Sequence, residues 1–266
     1  MDLSNKLFGI PKVYYFNYDE HKNRNYHMDR NLGNLKVANY EKVSASKYTS
    51  KNYEEWKNLI IDVENYKLTP NIAGYAITVL EFLKRWLEET DEPELIITKD
   101  TIDFDLIEYW KFDWNYLKSR LPYDWDCIQL GFENSQYIPF YLHPILPSST
   151  FGPSLLNRYY VKKIVKLHCV GDQYKLNNYI ANMYFSGQSG TVDYFIGHNG
   201  NTYSMPLFPN KPEFFDKNTK KYVLVYICKN AYHEWWKRES GKFNLDEIFT
   251  YGKYNDIGMV KKLRKK

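Results

Sequence analysis

Asp100, Asp103 and Asp105 follow directly on the apolar residues Leu95, Ile96 and Ile97. An apolar strand that ends in carboxylates is how many α/β proteins bring a metal ion or a phosphate to a sheet edge, because hard oxygen donors there can hold a divalent cation. Carboxylates also punctuate ordinary turns, so the segment acquires meaning only from its neighbours. Other chemistry-bearing residues are scattered. Asn17, Asp19, Lys22 and Arg24 come at or just after the run VYYFNY, Asp172 follows Gly171, and His198 lies in the turn HNGN. His233 in YHEWW makes no zinc-protease motif, since HExxH needs a second histidine that this segment lacks. The Gly-rich dinucleotide fingerprint, the P-loop and the GxSxG elbow are all absent, which disfavours Rossmann dehydrogenases, P-loop NTPases and α/β-hydrolases.

The elements that must position these residues are partly legible. VYYFNY (Val13 to Tyr18) is a β-rich run bounded by Pro11 and a polar cluster, and reads as the first strand. A short helix with Met28 and Leu32 follows, then a strand over Val37 to Ala45 and a short helix from Tyr53 to Asn65. The clearest helix begins at Thr69 as N-cap with Pro70 at its first position, and ends near Glu89 to Pro93. Ile72, Ala76, Val79, Leu80, Leu83 and Leu87 form its buried stripe, while Ala73, Gly74 and Ala76 permit close approach of a neighbouring backbone. The strand Glu94 to Ile97 comes next, making a parallel crossover the economical topology. Further on, the pattern predicts a helical stretch around Asp105 to Arg120, a strand over Trp125 to Gly131, a Pro- and Ser-rich loop, and an amphipathic helix from Leu155 to Leu167. Asp172 then opens a second helical piece, Gln173 to Met183, and KYVLVYI (Lys221 to Ile227) looks strand-like.

Composition sets the class. The chain has 266 residues, enough for a sizeable core without disulfide or metal staples. Aromatics reach 18%, which fits codon bias in an AT-rich genome or, alternatively, a carbohydrate-binding or base-stacking role. The formal net charge is +4, and removing Lys261, Lys262, Arg264, Lys265 and Lys266 leaves about −1. The basic character therefore sits in a tail, either a solvated terminus or one that skims an anionic surface. Cys127, Cys169 and Cys228 are widely spaced with no CxxC pair, as expected in a reducing cytosol. No signal segment or bilayer-length apolar run is visible, and no Asn-x-Ser/Thr acceptor occurs, so the expectation is a cytoplasmic protein, in host cytoplasm if viral.

Read in order, six segments resemble the lipopolysaccharide-type glycosyltransferases of family 25, which have the GT-A fold. They are VYYFNYDEHKNR, VSASKY, NIAGYAITVLEFLKRW leading into ELIITKD, WDCIQLG, FGPSLLNRYYVKKI and GDQYKL, covering Lys12 to Leu176. The resemblance implies a single α/β domain with a mixed, mostly parallel central sheet flanked by helices. Residues 1–210 would form the GT-A-like domain, and residues 211–266 an irregular C-terminal extension packed on it.

The same resemblance implies transfer from a nucleotide sugar, UDP-linked by preference, to an acceptor hydroxyl with inversion and with Mn²⁺ or Mg²⁺ as cofactor. The acceptor would be a lipopolysaccharide-type glycan, or a modified base if the protein is a viral DNA-modifying enzyme. Asn17, Asp19, Lys22, Arg24 and Asp100 would bind the nucleotide sugar, Asp100, Asp103 and His198 would hold the metal, and Asp172 would be the base. One departure stands out: Thr98, Lys99 and Asp100 replace an acidic triplet, so only Asp100 keeps the pattern. Either Asp103 or Asp105 supplies the missing ligand, or Lys99 itself neutralises the leaving diphosphate, or the protein is a binding module on a scaffold that no longer turns over. Asp172 reads equally well as a helix N-cap, Arg24 and Lys22 as surface ion-pair partners, and Asn17 and Asp19 as turn residues.

Overall fold

Strand β1 (Val13–Asn17) is buried along its whole length, as a strand covered on both faces must be. Its side chains alternate between two cores. Val13 and Tyr15 join one cluster, while Tyr14 and Phe16 join the other. The same division runs through β3 (Glu94–Lys99), where Leu95 and Ile97 face one core and Ile96 the other. A computed structural model describes residues 3–61, 68–131, 133, 140–144, 152–176, 191–242 and 244–249.

Among the described residues the central sheet has seven strands in the order β2-β1-β3-β6-β4-β9-β5. The remaining members are β2 (Tyr40–Ser44), β4 (Cys127–Gln129), β5 (His143–Pro144), β6 (Ser154–Asn157) and β9 (Thr202–Ser204). β1 pairs in parallel with β2 and β3, and β4 with β9, whereas β6 runs antiparallel between β3 and β4 and β5 runs antiparallel to β9. The result is a mixed, mostly parallel sheet in which β1, β2, β3, β4 and β9 share one direction, flanked by helices on both faces: an α/β fold.

Two crossovers determine where a ligand can sit. The chain leaves β1, passes through α2 (Lys22–Asn34) and returns as β2, with Met28 and Leu32 of α2 buried in the first core. It then crosses back over β1 through α4 (Pro70–Glu89), whose Ala76, Val79, Leu80 and Leu83 fill the second core, and returns as β3. Because parallel crossovers are right-handed, reversing direction puts the two helices on opposite faces. A crevice opens at the carboxyl ends of β1 and β3, where the strand order reverses.

The crossover helix α4 starts at Pro70 with Thr69 before it, as expected, although the Thr69 side chain makes no cap hydrogen bond. Gly74 explains how closely it packs: a Cβ there would lie 2.1 Å from the carbonyl oxygen of Tyr48, so the loop after β2 rests on the helix backbone. Ile72 breaks the expected buried stripe. It is 42% exposed, because the first turn of α4 borders the crevice instead of the core.

Four further expectations need correction. Leu155 and Leu156 belong to strand β6, and helix α6 (Arg158–His168) starts only after Asn157, whose side chain accepts the Tyr160 N–H as an N-cap. KYVLVYI is helical, within Lys220–Glu234, because Thr219 caps it and Val225, Cys228, Ala231 and Tyr232 are buried at helical spacing. The Tyr53 to Asn65 helix is only Tyr53–Trp56 between 3₁₀ turns, with residues 62–67 outside the described set. Asp172 opens no helix: with Gly171 at φ +60° it forms the tip of a hairpin between β7 (Cys169–Val170) and β8 (Gln173–Tyr174), while residues 177–183 fall outside the described set.

The helix Lys220–Glu234 is part of the same body, since Cys228, Ala231 and Tyr232 share a core cluster with Val13 and Ile96. No helix among the described residues is long and apolar enough to cross a membrane.

Candidate functional site

A cleft of about 340 Å³ opens at the switch point. Its floor comes from the ends of β1 and β3, through Phe16, Tyr18, Lys99 and Asp100. The first turn of α4 supplies Asn71 and Ile72, the helix Val192–Gly197 supplies Asp193, and the helix Lys220–Glu234 supplies Lys221. Five separate stretches of sequence thus converge on one crevice.

Asp100 lies at its base, 4% exposed. Asn17, the last residue of β1, donates from Nδ2 to Asp100 Oδ2 at 2.8 Å and to the His21 carbonyl at 3.3 Å. Arg24 in the first turn of α2 brings Nη1 to 3.7 Å from Asp100 Oδ1 and donates from the same atom to His21 Nδ1 at 3.3 Å. Its other nitrogen is anchored on the Phe214 carbonyl at 2.6 Å, so the guanidinium is held in place from both sides. Burial pushes the Asp100 carboxyl above its ordinary value, against the opposing pull of Arg24, the Asn17 amide and His21. The protein keeps a carboxyl here at a cost in folding free energy, a mark of sites shaped for something other than stability.

Lys99 turns to the opposite wall. Its Nζ lies 5.9 Å from the ring centre of Tyr75 on α4 and 3.9 Å from Asp193 Oδ1. Among the described residues the buried Tyr75 hydroxyl has no hydrogen-bond partner, and burial raises its pKa. Tyr18 and Tyr75 stand with ring centres 6.4 Å apart at 32°, giving the cleft an aromatic side. At the far edge, Lys221 is paired with the buried carboxylate of Glu133. Glu133 also accepts from Asn210 Nδ2 at 2.7 Å, and Asn210 accepts from Thr101 Oγ1 at 2.6 Å. This network ties the turn after β3 to the helix Lys220–Glu234.

The structure gathers some of the expected residues and separates others. Asn17, Arg24, Lys99 and Asp100 meet in or beside the cleft. Asp19 instead staples the loop after β1 to β2, accepting from Ser44 Oγ at 2.7 Å and Lys42 Nζ at 3.2 Å; these contacts, Ser44 first, hold its carboxyl low. Lys22 is exposed at the start of α2 and does not line the cleft.

Asp103 is sealed in an ion pair with Lys229 and is not available as a metal ligand. His198 is at the opposite end of the helix Val192–Gly197 from Asp193, with its ring against Tyr194 at 4.7 Å; burial lowers its pKa. Asp172 is exposed on a hairpin that touches α4 at Lys84, which donates to the Gly171 carbonyl. Lys84 is thirteen residues beyond Asn71, roughly 20 Å along the helix axis, so Asp172 is remote from the cleft. Asp193, Tyr75 and Lys221 were not singled out in the sequence. Of these only Asp193 carried a local signal, as an acidic residue just after Thr191 at a helix start.

Among the described residues the donor set at the cleft does not fit a Mn²⁺ or Mg²⁺ ion. Among the described residues no three histidine, cysteine, aspartate or glutamate side chains are grouped to hold a metal. The two oxygens of Asp100 already face the Asn17 amide and the Arg24 guanidinium. A cation there would displace the amide and sit beside a fixed positive charge.

No protein-family profile matches the chain, and no curated protein matches it. Among solved structures, A197 from STIV aligns with a TM-score of 0.41 at 11% identity, over 75% of this chain and 84% of that one. A likeness at that level carries no functional argument.

Proposed function

We propose that the chain is a glycosyltransferase that takes a sugar from a nucleotide-sugar donor, a UDP-sugar by preference, and passes it to an acceptor hydroxyl with inversion. The observation that carries this reading is the cleft at the switch point between β1 and β3, where Arg24, Lys99 and Lys221 present positive charge beside an aromatic wall of Tyr18 and Tyr75. A nucleotide diphosphate has the matching chemistry: a flat base to stack and two phosphates to neutralise. The order of sequence motifs supplies the sugar. By that resemblance the acceptor is a lipopolysaccharide-type glycan, or a modified base in viral DNA.

In the step itself the acceptor oxygen bonds to the anomeric carbon while the carbon–oxygen bond to the diphosphate breaks, and its electron pair leaves on the phosphate oxygen. The proton of the acceptor hydroxyl needs a base. Asp193 is the cleft-lining carboxylate on the wall opposite Arg24, with Lys99 Nζ 3.9 Å from its Oδ1, and it replaces Asp172 in that role.

A panel of UDP- and GDP-sugars, read by thermal shift and by donor hydrolysis, tests the proposal. Stabilisation with slow hydrolysis that Asp193→Asn abolishes is the expected result. A second reading, a nucleotide-sugar- or glycan-binding protein without turnover, is favoured by Lys99 standing where the family has an acid; binding with no hydrolysis under any condition would select it. If no nucleotide sugar stabilises the protein, the transferase and the nucleotide-sugar-binding readings fail together, and glycan binding alone is left of the second.

A further inference from the structure

We propose that this site works without a divalent cation, the diphosphate being held and its departing charge neutralised by Lys99 and Arg24 from the two sides of the β3 end, with Lys221 closing the rim. This rests on the nucleotide-sugar reading above and names how that site handles charge.

The argument starts from strand geometry. Successive residues of β3 face opposite sides, so Lys99 follows Leu95 and Ile97 toward α4, while Asp100 turns toward α2. The two residues therefore address different walls. On the α4 wall Lys99 stands over Tyr75 and 3.9 Å from Asp193, a long contact that a phosphate oxygen can replace at shorter distance. On the α2 wall Arg24 is fixed by His21 and the Phe214 carbonyl, with its Nη1 3.7 Å from Asp100. A metal bridging two phosphates does two things: it ties their oxygens together and it absorbs the negative charge that grows on the leaving group. A guanidinium fork and an ammonium on opposite sides of the same crevice supply both, at the positions where an acidic triplet would otherwise recruit the ion.

In the transfer step no electrons are exchanged with the protein. The glycosidic carbon–oxygen bond breaks heterolytically, the diphosphate leaves with the pair, Lys99 and Arg24 remain protonated throughout, and the acceptor's proton passes to Asp193.

Calorimetric titration with UDP, GDP and inorganic pyrophosphate, each in excess EDTA and again in Mn²⁺, tests the proposal on the full chain. The expected result is binding of at least one of these in EDTA, within about threefold of the value in Mn²⁺, weakened about tenfold or more by Lys99→Met and largely kept by Lys99→Arg. Uridine or guanosine, which carry no phosphate, should bind Lys99→Met as they bind the parent, which separates a lost phosphate contact from a damaged fold. Binding that appears only with Mn²⁺, or that Lys99→Met leaves intact, overturns the metal-free mechanism while sparing the nucleotide-sugar reading. Failure of all three diphosphates in both buffers removes that reading and this inference together.

Discussion

The ion pair between Asp103 and Lys229 fixes the turn that follows Asp100, and breaking it should be costly. Asp103 is 1% exposed and Lys229 16%. Asp103 also accepts the Asp105 N–H at 3.2 Å, and Lys229 lies 3.6 Å from Asp105 Oδ2. Lys229→Met keeps most of the aliphatic stem but leaves a buried carboxylate with a single backbone donor. Removing one partner of a buried pair costs about 3–5 kcal/mol, most of it the uncompensated charge left behind. For a chain of this size that corresponds to a fall in Tm on the order of 10 °C.

Adding Asp103→Asn to Lys229→Met should recover much of the loss, because no charge then remains to be buried. The pH dependence has a definite sign. Burial pushes Asp103 up, but the hydrogen bond and charge of Lys229 outweigh it and hold the folded-state pKa below 3.8. The parent pair therefore contributes stability that is present above pH 3.8 and is lost as pH falls through the folded value. In Lys229→Met the carboxyl is raised instead, so its deficit against the parent should shrink on acidification. Urea unfolding of the parent, both single variants and the double variant between pH 4 and 8 measures all of this. A single variant that loses less than about 1 kcal/mol, with a double variant no better, would refute the assignment of Asp103 as a buried, Lys229-dependent charge.

Gly74→Ala should destabilise by about 2–3 kcal/mol in denaturant unfolding even though alanine is the better helix former, because the new Cβ would meet Tyr48 backbone at 2.1 Å and neither chain can yield cheaply. Asp100→Asn should raise the melting temperature at neutral pH while weakening the site: the folded state holds the acid above its usual pKa, so stability at this residue is greatest below pH 3.8 and declines as pH rises through the folded value, and the amide removes that slope. A variant no more stable than the parent at pH 8 would count against the buried, strained carboxyl. Asp193→Asn should cut donor turnover by about a hundredfold or more while leaving UDP binding near normal, and Asp172→Ala should change neither; the reverse pattern would return the base to the hairpin.

The near half of the site is legible because it is local. β1 announces itself by composition, α4 by its cap, its proline and its small residues, and β3 by three apolar residues ahead of Asp100. The far half is not, because nothing in TVDYF or in the residues around Lys221 indicates that they close a cleft more than ninety residues upstream. Two misreadings have a common cause. Leu155 and Leu156 suit a strand as well as the helix that follows, and Val223 to Ile227 carry strand-forming residues that tertiary burial at Val225, Cys228, Ala231 and Tyr232 commits to a helix. Asp172 was misplaced for a different reason. Gly171 takes a left-handed φ that turns the chain back on itself, and a glycine before an aspartate reads as a helix start or a hairpin tip with equal ease.

The position of Lys99, between Thr98 and Asp100 at the end of β3, follows from the same strand logic. In an acidic triplet at the end of β3 the first and third residues share a face, and here those are Thr98 and Asp100. Thr98 is fully buried and turns its hydroxyl onto the Lys99 carbonyl at 3.1 Å, so it cannot lend a ligand to Asp100. Lys99 lies on the other face, and its charge does not compete for the Asp100 oxygens; it reaches the wall that Asp193 and Tyr75 share. The acid and the base of Thr98-Lys99-Asp100 thus organise two walls of one crevice. Restoring an acid by Lys99→Asp would place like charge against Asp193 and would not rebuild a metal site around Asp100. That variant should therefore lose diphosphate binding without becoming Mn²⁺-dependent, whereas a gain of Mn²⁺-dependent binding would mean that residues 99 and 100 serve the same ion after all.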